Sequence, residues 1–458
     1  MKLPLCNCRS ALDANVRNAA FVTAFVLLLA VQQHQGVTTF PYDSGLYWGL
    51  SEIGSLMDFP KSIRGYLYPT LLAPVRWMAD GIGDHGVYAF RVSSSLIYAW
   101  SLSCWMPEAF LSFFQGRLSF TRRLTLPVFV ALLYPGLIAY PLSDLPACLL
   151  MVGSLSLMFR GVQERRVGLL IAAGILAGAG YNVRTIYVVG VAFIAVLTPW
   201  LLIRHGASFR AGLGGLCVLL FGFVAIGAPQ AMINWKNGRV PSPFVIATVN
   251  GQSLISAQLQ WGIAVQRYET SIEAQVPSPT QVYLDAAGER LFASEEVRKP
   301  LSVKGYLRLV FANPLEFAGI YGRHLVNGID LRDGEVYITK PSADRSHLGA
   351  SGFLLAVIGL LLFFCTKNTS VAWLAAAFMT LPVAFILPGA IETRFFLPLH
   401  LLAWGLIAVR LDSDALRAFV QGELMLKLFL LLAGFLLFIS ISTSTMASLT
   451  YAFPPKYM

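Results

Sequence analysis

Charge is what this chain has least of: Asp, Glu, Lys and Arg together make up 13% of its 458 residues. A soluble protein carries about 25%, so there are too few charges to coat the several water-facing domains this length would otherwise suggest. Disorder is excluded as well, because a disordered chain is poor in apolar residues and this one is 56% hydrophobic. Cysteine is scarce. Cys6 and Cys8 stand in the N-terminal tail, while Cys104, Cys148, Cys217 and Cys365 lie in apolar runs. None falls in a long polar stretch, which argues against a disulfide scaffold and leaves no zinc-ligand spacing. There is no P-loop, no GxGxxG leading into a helix, no HExxH and no GxSxG. Nucleotide hydrolysis, dinucleotide redox chemistry and zinc proteolysis therefore find no support. The net charge of +10 would raise nucleic acid as a partner of a soluble domain. In so apolar a chain it reads instead as the Lys and Arg excess that orients membrane proteins, with no nucleic acid implied.

Apolar runs are what the sequence has in abundance. They cover about 19–31, 87–106, 124–141, 145–159, 167–181, 185–202, 211–233, 349–365, 371–388, 395–409 and 427–446, and a straight span needs about 20 residues. The pattern predicts an all-α polytopic membrane protein of about 11 transmembrane helices. The first run follows Lys2, Arg9 and Arg17 with no small-residue cleavage site after it, which fits an uncleaved span with the N-terminus inside. An odd number of spans puts the C-terminus outside. Loops then assigned inside carry Arg117, Arg122, Arg123, Arg160, Arg165, Arg166, Arg204, Arg210, Lys367, Arg410, Arg417 and Lys427, consistent with a positive inside. Leu67–Ala79 is apolar but short and holds Pro69, Pro74 and Arg76, so a surface or re-entrant helix is expected there. Two outside segments are long. Residues 34–86 form the first, within an N-terminal membrane module of 1–233. Residues 234–348 form the second, ahead of a C-terminal module of 349–458. Asn313-Pro314 marks a helix start in the second. No internal repeat appears.

The sharpest chemical signal is Phe40-Pro41-Tyr42-Asp43-Ser44-Gly45-Leu46-Tyr47-Trp48. An acid just beyond a span, flanked by aromatics, sits at the bilayer interface, where partial desolvation raises its pKa and suits it to general-base work. Leu46, Leu50, Ile53, Gly54 and Met57 recur at helical spacing and predict an amphipathic helix on the membrane surface. The competing reading makes Asp43 a helix cap. Asp144, in the tight outside turn 140–146, is either a turn former or a second carboxylate meeting Asp43 to hold a divalent cation or orient an acceptor. Arg184 ends an outside loop against the orientation rule, so it either snorkels to lipid phosphates or binds an anion. Glu392 and Arg394, in 388–398, are either a structural pair or a phosphate clamp. His85, His324 and His347 are scattered without metal spacing and read as surface residues.

These elements, taken in order, resemble the GT-C superfamily of integral-membrane glycosyltransferases. The Asp43 segment, Asp144, Arg184, a Pro-Gln…Asn-Trp…Gly…Pro-Ser-Pro exit at 229–243 and Glu392-x-Arg394-Phe-Phe-Leu-Pro-Leu carry the likeness, which extends over about residues 20–405. The chain is similar to bacterial relatives of protein O-mannosyltransferases and of the aminoarabinose transferase acting on lipid A. The resemblance implies Asp43 as the catalytic base and Asp144 as an acid tied to acceptor or metal (magnesium or manganese). It further implies Arg184 and Arg394, with Lys61 and Arg64, facing the donor phosphate, and Tyr47 and Glu392 in support. Here the first-loop pattern Asp43-Ser44-Gly45-Leu46-Tyr47 has a single acid where the family pairs two, which favours a glycolipid- or polysaccharide-modifying branch.

The expected activity is transfer of a sugar from a polyprenyl-phosphate donor to an envelope glycolipid, polysaccharide or protein on the periplasmic face of a bacterial inner membrane. A single inverting displacement would need no nucleotide. Two alternatives remain at this stage. One is a polysaccharide polymerase or ligase, and the other a lipid or glycan transporter, which would need ionisable groups at the membrane midplane.

Overall fold

The computed structural model describes residues 11–60, 64–83, 86–249, 251–272, 280–294, 301–339, 345–412 and 424–451. Lys61 and His85 lie outside the described residues. Apolar runs become helices because a backbone without water must satisfy its own hydrogen bonds. Among the described residues, six helices are long and apolar enough to cross a membrane: Asp13–Gln35, Asp144–Glu164, Thr185–Arg204, Phe209–Gly238, Ser346–Phe364 and Met425–Ala447. Val167–Val183 and Ser370–Ile386 are shorter apolar helices. Large apolar side chains on these helices, among them Val22, Val26, Phe221, Val224, Phe429 and Leu436, are exposed. Such a surface suits hydrocarbon and not water, so this is a helical membrane protein.

In chain order the first module comprises α1 (Ala11–Gln35), α2 (Tyr42–Leu50), α3 (Leu67–Gly81) and α4 (Val87–Trp100). A π turn, Ser101–Trp105, carries α4 into α5 (Met106–Phe114). Then follow α6 (Phe120–Leu133), α7 (Pro135–Ala139), α8 (Asp144–Glu164), α9 (Val167–Val183), α10 (Val188–Arg204) and α11 (Phe209–Gly238). Two differences from the sequence pattern stand out. The expected helix over Leu46–Met57 stops at Leu50, where the Ser51 hydroxyl donates to the Trp48 carbonyl. The expected run 124–141 breaks at Tyr134 because Pro135, lacking an N–H, starts a new helix. At Leu67–Gly81 the expected short helix is present, with Pro74 inside it.

Backbone approach sets the packing of α9 on α11. A Cβ at Gly174 would stand 1.9 Å from the Leu219 carbonyl oxygen, and one at Gly222 would stand 2.2 Å from that of Ile171. Small residues let membrane helices come this close and gain van der Waals contact. The buried centre of the bundle is aromatic, with Phe110, Phe113, Phe114, Tyr134 and Trp404 almost wholly enclosed.

The polar second segment folds over one end of the bundle. It contains α12 (Leu254–Ala264), α13 (Ala286–Ser294), α14 (Val303–Ala312) and α15 (Pro314–Ile329), the last starting at the proline marked in the sequence. A short hairpin pairs β1 (Thr248–Val249) with β2 (Gln252–Ser253). A second sheet centres on β3 (Val265–Ser271), antiparallel to β4 (Thr280–Leu284) and parallel to β5 (Tyr337–Ile338). The far edge of β4 takes β6 (Leu449–Thr450), which directly follows the last helix, Leu424–Ala447. The C-terminal end is thereby stitched to the segment 234–348. The remaining helices are α16 (Ser346–Phe364), α17 (Ser370–Ile386) and α18 (Leu397–Arg410). His324, expected at the surface, is fully buried, with Nδ1 2.7 Å from the Leu387 carbonyl oxygen. It lies on the inner face of α15, which the sequence alone did not orient. His347 is exposed, as expected.

Candidate functional site

Five separate pieces of chain deliver charged side chains to one end of the bundle. The first is the turn into α2. Pro41 is extended, Tyr42 has a φ of +45°, and the Gly45 N–H reaches back to the Pro41 carbonyl at 3.1 Å. A Cβ at Gly45 would lie 2.4 Å from the Phe40 carbonyl oxygen, so only glycine permits this tight entry. The helix has no side-chain cap. Asp43, in its first turn, turns its carboxylate away from the backbone toward two arginines, so the cap reading fails.

Arg64 Nη2 lies 2.6 Å from Asp43 Oδ1, and Arg394 Nη2 lies 3.3 Å from Asp43 Oδ2. Arg394 stands in the turn Thr393–Phe396 that leads into α18. Its Nη1 is 3.8 Å from Oδ2 of Asp144, and its Nε donates to Glu392. Asp144 opens α8, where the positive end of the helix dipole favours a carboxylate. Arg184, immediately after α9, pairs with Asp144 Oδ1 at 3.0 Å and lies with its guanidinium carbon 4.8 Å from the centre of the Phe395 ring. Tyr47 donates to the Ser143 hydroxyl at 3.0 Å, and the Arg64 guanidinium lies 5.7 Å from the centre of its ring. Of the residues singled out in the sequence, Asp43, Tyr47, Arg64, Asp144, Arg184, Glu392 and Arg394 are therefore brought together. Lys61 is outside the described residues.

The electrostatics differ from expectation. Burial alone would raise the pKa of Asp43, but Arg64, then Arg394 and Arg184, hold its carboxyl below the ordinary carboxylate range. Three guanidinium groups (Arg64, Arg184, Arg394) face three carboxylates (Asp43, Asp144, Glu392), so the cluster is close to neutral. This also tests the cation suggested by the paired acids. Arg394 stands between Asp43 and Asp144 and touches both, and no group of three or more His, Cys, Asp or Glu among the described residues could hold a metal ion. The donor set does not fit a divalent cation.

A cavity of about 560 Å³ opens onto this cluster. Asp43, Arg64, Arg184, Glu392 and Arg394 line it, together with apolar residues such as Phe244, Ile255, Phe385 and Phe395. A charged wall facing an apolar one is the shape that suits an amphiphile.

Six residues important to this geometry were not singled out in the sequence: Tyr337, Glu269, Arg267, Asp333, Tyr134 and Thr393. Tyr337, in β5, accepts the Ser44 N–H at its hydroxyl oxygen at 3.1 Å and so fixes the start of α2. Glu269, in β3, accepts from the Thr393 N–H at 2.9 Å and its hydroxyl at 2.6 Å, and from Arg267 Nε at 2.9 Å. Arg267 also pairs with Asp333. Burial pushes Glu269 up to about 7, against the pull of Arg267. The Tyr134 hydroxyl donates to the Thr393 carbonyl at 2.9 Å. Thr393 is thus held on both backbone groups, which fixes Glu392 and Arg394 on either side. Alternating burial along β3 carries no signal of this, because Glu269 is one acid in a strand buried on both faces.

No family model and no curated protein matches this chain.

Proposed function

We propose that the protein is a glycosyltransferase of about eleven spans in a bacterial inner membrane, with its N-terminus in the cytoplasm and this site on the periplasmic face. It takes a sugar from a polyprenyl-phosphate donor and passes it to an envelope glycan or glycolipid. The observation that carries the reading is the convergence of Asp43, Arg64, Arg184 and Arg394 on one cavity with an apolar wall, with Asp144 pairing Arg184 and Arg394 beside it.

The chemistry follows from the charge balance. An arriving phosphate competes with Asp43 and Asp144 for the arginines. As Arg184 and Arg394 turn to it, Asp43 loses counter-charge while staying half-buried, so its proton affinity rises and it becomes a better base. The acceptor oxygen then bonds to the anomeric carbon as the carbon–oxygen bond to phosphate breaks. The hydroxyl proton passes to Asp43, and the bond electrons leave on the phosphate, where the guanidiniums meet the growing charge. A transporter is less well supported. Arg91 and Arg123 are buried within spans but stand near helix ends, bonded to Gln33 and Glu108 respectively.

The test is turnover of short-chain polyprenyl-phosphate sugars by purified protein in lipid nanodiscs, read as release of polyprenyl phosphate. Asp43→Asn should fold and insert normally yet lose at least about a thousandfold in kcat, since Asn keeps the shape but cannot take the proton. Near-normal turnover by Asp43→Asn would end the catalytic assignment. Mass spectrometry of envelope glycolipids with and without the protein would identify the product.

A further inference from the structure

The charged cluster occupies only part of the cavity wall. Bundle residues such as Tyr181, Ile186 and Phe385 supply part of the rest, and the segment 234–348 supplies another part, chiefly one face of α12, which presents Leu254, Ile255, Gln258, Leu259 and Trp261 at helical spacing. Gln258 is unusual among them. Its side-chain oxygen is buried and has no hydrogen-bond partner. A buried carbonyl left unsatisfied costs free energy, and because Gln258 lines the cavity, a turn of its amide toward a ligand hydroxyl would recover that cost. Beside it lies Tyr268 of β3, whose hydroxyl is hydrogen-bonded to both Gln258 and Glu392. Glu392 in turn accepts from Arg394 Nε. A continuous polar chain therefore runs from α12 to the arginine that touches Asp43, and Trp261 lines the same cavity one turn along from Gln258.

An aromatic surface, an amide acceptor and a tyrosine hydroxyl are the chemistry that recognises a pyranose. The ring's C–H face packs on the indole, and its hydroxyls bond to fixed polar groups. We infer that Gln258, Trp261 and Tyr268 seat the transferred sugar, and that this sugar is uncharged. The second half rests on the ion pairs: both carboxylates lining the cavity, Asp43 and Glu392, already face guanidiniums, and Arg64, Arg184 and Arg394 each face a carboxylate. An ammonium sugar would find no acid to spare, because Asp43, once the phosphate draws its arginines off, takes the acceptor proton and Glu392 pairs with Arg394 Nε; a uronic acid would find no arginine beyond those the donor phosphate takes. The identity of the sugar thus rests on the proposed transferase reading, while the seat itself does not.

The experiment compares polyprenyl-phosphate donors carrying glucose, its epimers mannose and galactose, 4-amino-4-deoxyarabinose and glucuronic acid. One neutral hexose should be used with kcat/KM at least about tenfold above the charged sugars. Gln258→Leu and the near-isosteric Gln258→Met should lower that value about tenfold or more and level the discrimination between epimers, since a site built to bond a hydroxyl rejects what lacks it. Saturation-transfer NMR with methyl glycosides, on the same nanodisc samples, reads the seat without turnover. Binding in the wild type that is lost in Gln258→Leu and Trp261→Ala supports the seat even if no donor is turned over, in which case the transferase reading alone fails. Preference for a charged donor overturns the uncharged assignment. Turnover with epimer ratios unchanged in both Gln258 variants, or no glycoside binding by the wild type, overturns the seat.

Discussion

Asp43 and Arg394 respond to substitution in ways that separate charge from geometry. Asp43 has a depressed pKa in the folded protein because Arg64 and Arg394 outweigh its burial. Its ion pairs therefore contribute stability above the unfolded carboxyl pKa, and that contribution is lost as pH falls through the lowered folded value. The same sign governs activity, since the free enzyme's base must be unprotonated. Removing the nearest cation with Arg64→Gln should move the acid limb of the kcat/KM–pH profile to higher pH, measured on donor turnover. An unmoved limb would mean that another group sets it. Arg394 makes contacts that a lysine cannot copy, because Nε, Nη1 and Nη2 each face a different carboxylate. Arg394→Ala should cost about 3–5 kcal/mol of stability, since it strands buried acids, and should abolish donor use. Arg394→Lys should restore more of the stability than of the turnover. Thermal unfolding paired with a donor concentration series reads the two apart.

The element that positions the site is the turn 331–337, because it joins the segment 234–348 to the bundle. Gly334 packs so closely on α6 that a Cβ there would stand 1.7 Å from the Leu133 carbonyl oxygen, and a Cβ at Gly136 of α7 would stand 1.8 Å from that of Glu335. Val336, between them and Tyr337, has a φ of +68°, a conformation that a β-branched residue adopts only under constraint. The contact matters for function because Tyr337 holds the Ser44 N–H, and Ser44 follows Asp43. Gly334→Val should therefore destabilise the protein by about 1–3 kcal/mol through overpacking and lower kcat more than it raises KM. A fall in melting temperature with unchanged kcat would uncouple this turn from the site. On the opposite side, β3 acts through Glu269 on Thr393. Both devices belong to the segment 234–348, which supplies no member of the ionic cluster.

At the scale of the whole molecule, composition and apolar periodicity determined that this is a helical membrane protein, and roughly where its helices lie. Hydrocarbon admits few alternatives to a self-bonded backbone, so that information is local and survives in the sequence. The unusual acids and arginines at helix ends were legible too: Asp43, Asp144, Arg184 and Arg394 each stood out because a charge there breaks the surrounding pattern. What they do to one another was not. Whether Asp43 is raised or lowered in pKa depends on Arg64, 21 positions away, and Arg394, 351 positions away, and a Coulomb interaction is fixed by distance in space. The same holds for His324, buried by the packing of α15, and for Glu269, Thr393, Gln258 and Tyr337, ordinary residues in ordinary stretches. Their importance arises only where strands and helices from distant parts of the chain close on one end of the bundle, which is a property of tertiary contact and leaves no periodic trace.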